Sequence, residues 1–173
     1  FLKKGKEYAG ELALLNVMDL LTILKWNVKN KINFFRVSSD IFPWSSHYKL
    51  NSLPQYKVIK DILMEIGIYI KENNVRLTFH PGPYNVLVSP SNKVIHNTIL
   101  DLELHAQICN LLDLSNTPFN KINIHCNGVY GNKISAMDKF CSNFERLSQS
   151  VKSRLTVEND DKPSMYSVKD LMY

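Results

Sequence analysis

Cysteine is scarce in this chain of 173 residues: Cys109, Cys126 and Cys141 are the only three, and no two of them form a CxxC pair. An odd count without ligand spacing argues against a disulfide framework and against a cysteine zinc site, and fits a reducing interior. No apolar run approaches the roughly 20 residues that span a bilayer, so no membrane partner is expected. No secretory signal is visible, which leaves an intracellular location, cytoplasmic or nuclear. A GxGxxG phosphate turn is missing, and with it the main signature of a dinucleotide site. Low-complexity segments and disordered linkers are missing too. What is present, 45% hydrophobic and 21% charged residues, is the composition of one globular domain with a real core. The net charge of +5 is compatible with a polyanionic partner without establishing one.

One short pattern recurs four times. Lys31-Ile32-Asn33-Phe34-Phe35, Arg76-Leu77-Thr78-Phe79-His80, Lys121-Ile122-Asn123-Ile124-His125 and Arg154-Leu155-Thr156-Val157-Glu158 each read base, apolar, Asn or Thr, apolar, special position. Their starts lie 45 residues apart (31 to 76), 45 apart (76 to 121) and 33 apart (121 to 154). Short alternating strands at such spacing suggest strand–helix units of a parallel sheet. Alternation puts Arg76, Thr78 and His80 on one face and Leu77 and Phe79 on the other. Each strand then presents Phe35, His80, His125 or Glu158 at its C-terminal end, where parallel-sheet enzymes carry their sites.

Between the strands the apolar period changes to that of helices. Residues 7–28 are expected to form a helix with Leu14, Met18, Leu21 and Leu24 inward. A second helix runs over 54–73 on Ile59, Leu63, Ile66 and Ile70, stopping at Asn73-Asn74. A third covers 92–114 on Ile95, Ile99, Leu102, Ala106 and Cys109, with His96 and His105 outside the stripe as surface or rim residues. A fourth covers 134–152 with Met137, Cys141, Phe144, Leu147 and Val151 inward. Ser164 is the expected N-cap of a last helix. Trp26 and Trp44 are read as packing residues.

The order αβαβαβαβα predicts an α/β protein, most simply part of a TIM (β/α)8 barrel covering about strands two to five. A whole barrel takes about 250 residues, so a first strand and the C-terminal strand–helix units are expected to be missing from this single partial domain. Such a piece alone is expected to aggregate or to pair with another chain, because it leaves open sheet edges. Polar Asn and Thr inside the strands suit a barrel lumen better than an open sheet packed on both faces.

Imidazole and carboxylate together are ligands for zinc, manganese or iron. His80, His125 and Glu158 are thus candidate metal ligands, and a carboxylate such as Glu158 can bridge two ions about 3.5–4 Å apart. Arg36 and Lys133 could reach the phosphates of a polyanionic partner or form internal salt bridges.

Four motifs in order carry a resemblance over almost the whole chain. They are Phe35-Arg36-Val37-Ser38-Ser39-Asp40-Ile41-Phe42-Pro43 ending at His47, His80-Pro81-Gly82-x-Tyr84, His125-x-x-Gly128-x-Tyr130-Gly131-x-Lys133, and Glu158-Asn159-Asp160-Asp161. The chain resembles the ultraviolet damage endonucleases. The resemblance implies a TIM barrel with a cluster of divalent metals, typically Mn2+, with Zn2+ or Mg2+ as alternatives, and no organic cofactor. It implies incision 5′ to a damaged base, such as a pyrimidine dimer, in double-stranded DNA by a monomeric full-length enzyme. His80, His125 and Glu158 match the family's ligand positions, and His47 matches a histidine of its catalytic centre. Tyr84 matches one half of the pair that probes damaged DNA. Pro83 stands beside it where the family usually has Gln, and Asn127 stands where the family's glycine pair begins. An abasic-site endonuclease, a sugar isomerase on a similar barrel, and a truncated DNA-binding remnant without activity remain alternative readings.

Overall fold

Among the described residues, helices alternate with four strands of only four residues each. The computed structural model describes residues 3–172. The strands are β1 (Phe34–Val37), β2 (Arg76–Phe79), β3 (Ile122–His125) and β4 (Leu155–Glu158), and they form one sheet in the order β1-β2-β3-β4. The pairs β1–β2 and β3–β4 are parallel, as expected for strand–helix units. Among the described residues no helix is long and apolar enough to cross a membrane. The chain divides into two compact units, one made of the residues up to Phe79 with Gln107–Ser115, the other of His80–Ala106 and the residues from Asn116 onward.

In the first unit, helix α1 (Gly5–Lys29) buries Ala9, Ala13, Val17, Leu20 and Leu24. This stripe is rotated from the expected one: Met18 is exposed, and Leu14 and Leu21 are only half-buried. The small residues decide the face, because α1 packs on α2 (Tyr56–Glu72) and bulky side chains would hold the two apart. Trp26 is 58% exposed on α1, contrary to the expected packing role, and Trp44 is also exposed, its ring tilted 6.2 Å from that of Tyr8. In α2 the expected stripe is the buried one, Ile59, Leu63, Ile66 and Ile70, and the helix stops at Asn73-Asn74, where Asn74 takes φ 54°.

The first of the four repeats is displaced. Lys31 has φ 61°, its N–H donates to Val28 O at 3.0 Å, and the Ile32 N–H donates to Asn27 O at 2.9 Å. Lys31-Ile32 is therefore a left-handed helix cap rather than the start of a strand. Strand β1 begins at Phe34, which pairs with Arg76, so that Phe35 lies beside Leu77 and Arg36 beside Thr78. The correspondence is three residues away from the expected Lys31–Arg76 alignment, and Phe35 is not a strand-end residue.

In the second unit, the part of α3 (Asn92–Leu111) up to Ala106 buries Ile95, Leu102 and Ala106, as expected, but also Thr98 and His105. His105 is fully buried, not a rim residue. Its Nδ1 lies 2.7 Å from the carbonyl of Asp101 one turn earlier, which satisfies a polar ring atom inside the core. His96 is exposed, as expected.

The expected fourth helix is two: α4 (Lys133–Phe144) and the short α5 (Gln149–Lys152). Ser148 makes the break by capping Val151 N–H with its hydroxyl and donating its own N–H to Glu103 Oε1 at 2.7 Å. The break changes the inward set to Ala136, Phe140 and Asn143 ahead of Leu147 and Val151, leaving Cys141 exposed and Met137 and Phe144 half-buried. The last helix, α6 (Val168–Leu171), starts from a capping box of Ser167 and Asp170 rather than from Ser164.

Candidate metal centre

Strands β3 and β4 run parallel with Asn123 beside Thr156 and His125 beside Glu158. Residues two apart share a face, so these four side chains project to the same side. His80, the residue after β2, completes the group. One donor atom each from His80, His125 and Glu158 lies within 4.8 Å of the others, which brings together the three ligands expected from sequence. His80 Nε2 is 3.3 Å from Glu158 Oε2, and His125 Nε2 is 3.2 Å from Glu158 Oε1. The two imidazoles are tilted with centroids 5.5 Å apart. Each carboxylate oxygen thus faces a different histidine.

The carboxylate itself is half-exposed, at 43% of its side-chain surface. Burial pushes Glu158 up, but the Asn123 amide bond and the neighbouring His125 and His80 rings outweigh it and hold the carboxyl below its ordinary range. Behind His125, Asp160 Oδ1 lies 3.5 Å from the buried Nδ1, an ion-pair distance without a hydrogen bond. Asp160 is itself fixed by Tyr166, accepting its backbone N–H at 3.3 Å and donating its own N–H to the Tyr166 carbonyl at 2.9 Å. Next to the centre, Cys126 is fully buried, and burial pushes its thiol up to about 12.

Two residues of this face had no role assigned from sequence. Asn123 donates its amide to Glu158 Oε2 and accepts a hydrogen bond from Thr156 Oγ1 at 2.6 Å. Their signal was present as the Asn and Thr at the third position of the repeats.

Tyr84 is 88% exposed, the most exposed large apolar side chain among the described residues. It follows the Pro81-Gly82-Pro83 turn, which the Asn85 backbone N–H closes onto Gly82 O at 3.1 Å, and Pro83 is exposed beside it. Lys133 has an internal partner, Asp170 Oδ2 at 3.0 Å, and lies 5.8 Å from the Tyr166 ring centroid. Arg36 and His47 belong to the first unit, Arg36 exposed on β1 and His47 exposed in a 3-10 turn over Ser45–His47. In the following loop, Asn127 takes φ 57°, a left-handed conformation that asparagine tolerates better than most residues.

Comparison with known proteins converges on one family. The family model for UV-endonuclease UvdE matches residues 2–173. The chain is 43% identical over 148 residues to the UV DNA damage endonuclease of Clostridium perfringens, covering 85% of this chain and 35% of that protein. It is 39% identical over 173 residues to the UV-damage endonuclease of Schizosaccharomyces pombe, covering 98% of this chain and 28% of that protein. A crystal structure of SacUVDE superimposes with a TM-score of 0.88 at 35% identity, covering 98% of this chain and 56% of that one. The chain therefore spans about a third of the length of these two curated relatives and just over half of the crystallised chain.

Proposed function

The chain belongs to the UV-endonuclease UvdE family, and from that premise we propose that it is part of a metal-dependent DNA-repair endonuclease that hydrolyses the phosphodiester bond 5′ to ultraviolet-damaged bases such as pyrimidine dimers. The observation that carries this reading is the convergence of His80, His125 and Glu158 from three strand ends. Two imidazoles and a carboxylate fit a divalent cation, with Mn2+ first and Zn2+ or Mg2+ as alternatives. Glu158, with one oxygen toward each histidine, suits an arrangement in which one carboxylate serves two ions. A divalent ion held there supplies positive charge to the scissile phosphate and acidifies water near neutral pH.

The chain's own residues divide the remaining work. Asp160 places a negative charge beside the His125 ring, and His47 serves the catalytic centre as an imidazole able to move a proton. Tyr84 and Pro83 meet the damaged duplex, where an aromatic ring can stack against a base. Arg36 contacts a phosphate, and Lys133 does so while shared with Asp170. The four-stranded sheet supplies about strands two to five of a TIM barrel whose other strands complete the ligand set. The partner is damaged double-stranded DNA inside the cell.

The deciding experiment uses the full natural chain and ultraviolet-irradiated plasmid. Nicking that requires Mn2+, stops with chelator and is largely lost in Glu158→Gln is the expected result. Undiminished Mn2+-dependent nicking by Glu158→Gln would overturn the assignment.

A further inference from the structure

We propose that Asn123, held in place by Thr156, is a positioning residue that fixes the Glu158 carboxylate for its ion; this rests on the reading of His80, His125 and Glu158 as metal ligands. The three residues form a chain of directed hydrogen bonds. Thr156 Oγ1 donates to Asn123 Oδ1 at 2.6 Å, and Asn123 Nδ2 donates to Glu158 Oε2. The pairing follows from strand register, since Asn123 lies beside Thr156 and His125 beside Glu158.

The direction of the chain matters. An amide presents an acceptor on one side and donors on the other. With its oxygen engaged by the Thr156 hydroxyl, Asn123 turns its N–H toward Glu158. The reverse orientation would set the amide oxygen against a carboxylate oxygen. A glutamate has three side-chain torsions and Glu158 is half-exposed, so an untethered carboxylate would sample several positions. The Asn123 bond uses one lone pair of Oε2. It leaves the second lone pair of Oε2, and both of Oε1, for the side where the histidines lie.

Asn123 is only 4% exposed, in a strand whose neighbours Ile122 and Ile124 are buried and apolar. Burying an amide there is unfavourable unless both of its ends are satisfied. Thr156 and Glu158 do that, and they couple the amide to a ligand rather than to the backbone.

The test is titration of the metal-free full natural chain with MnCl2, followed by calorimetry and by the electron paramagnetic resonance signal of Mn2+, together with the unfolding midpoint of each metal-free variant. Loss of a group that orients a ligand typically weakens metal affinity about 10–100-fold. Asn123→Ala is expected to fall in that range, Thr156→Val to weaken binding about tenfold, and Thr156→Ser, which keeps the hydroxyl, to stay within about twofold of the parent. The Mn2+ spectrum should broaden in Asn123→Ala and Thr156→Val and not in Thr156→Ser. A merely structural pair would lower the unfolding midpoint and leave Mn2+ affinity and spectrum unchanged in the folded protein. Glu158→Gln is the reference. If it loses Mn2+ while Asn123→Ala and Thr156→Val bind like the parent, the positioning role is wrong and the ligand assignment stands. If Glu158→Gln binds Mn2+ like the parent, the ligand assignment fails and the positioning role falls with it. Should Asn123→Ala not fold, the contrast between Thr156→Val and Thr156→Ser decides alone.

Discussion

Asn85 and Asp101 tie the loop after β2 to α3: the Asn85 amide donates to Asp101 Oδ2 at 2.7 Å. The next residue repeats the attachment, with Val86 N–H donating to Thr98 Oγ1 at 3.0 Å. Asn85 is buried, so its replacement by Ala would strand part of the Asp101 carboxylate. Asn85→Ala is expected to cost about 1.5–3 kcal/mol, the range for hydrogen bonds to charged groups. Urea unfolding of the full natural chain measures it, and a cost below about 0.5 kcal/mol, the level of an ordinary surface substitution, would show that the tether carries no weight.

Tyr84 projects from that anchored loop with almost all of its surface free. Tyr84→Ala should therefore leave the melting temperature and bound metal unchanged. Stacking of a base on an aromatic ring contributes roughly 1–3 kcal/mol, so binding to ultraviolet-irradiated duplex should weaken about tenfold, and binding to undamaged duplex less. Equal weakening on both duplexes would make Tyr84 a general DNA contact. No change on either would remove it from the interface.

Gly67 lies in the middle of α2, where alanine ordinarily stabilises a helix by about 1 kcal/mol. Here the sign reverses. A Cβ on Gly67 would stand 2.2 Å from the backbone oxygen of Leu112, which cannot swing away as a side chain could. Gly67→Ala is expected to destabilise by about 1–3 kcal/mol through overpacking. A higher melting temperature in that variant would show that α2 does not approach Leu112 this closely.

Acid should weaken the cap of the last helix. Hydrogen bonds from the Ser167 backbone and hydroxyl, with the Lys133 ammonium, lower the Asp170 carboxyl from 3.8 to about 2. The folded value lies below the unfolded one, so the contribution is complete above about pH 4 and disappears as the pH falls through about 2. The protection of the amides of residues 167–171, taken relative to their intrinsic exchange rates, should fall in that window and should not change there in Asp170→Asn. A flat profile in the parent chain would refute the capping box.

Much of this architecture was legible from alternation alone. The third and fourth repeats align in the structure as in the sequence, His125 beside Glu158, because β-strands have a period of two and nothing interrupts them. The three residues of the candidate metal centre could be named for the same reason. The first repeat misled because Lys31 looks like the opening base of a strand, and only a left-handed backbone conformation reveals it as a helix cap. The face of α1 was misjudged because its large apolar residues surround much of the helix, and close packing selects the small ones. His105 was misplaced because the carbonyl that satisfies it belongs to its own helix, which no side-chain pattern discloses. Asn123 and Thr156 were visible as lumen-type polar residues, but the direction of their hydrogen bonds depends on partners that only the fold supplies.

The side-by-side placement of His125 and Glu158 ties the composition of the candidate metal centre to strand register. If β4 slipped by one residue along β3, Val157 or Asn159 would stand beside His125, and every side chain of β4 would change faces. The same slip would set Leu155 or Val157 beside Asn123 in place of Thr156. A mispaired chain could still bury comparable apolar surface, yet it would lose the carboxylate from the centre. Metal affinity would then report on strand pairing: on the proposed ligand assignment, a mispaired molecule would lose Mn2+ binding together with the carboxylate.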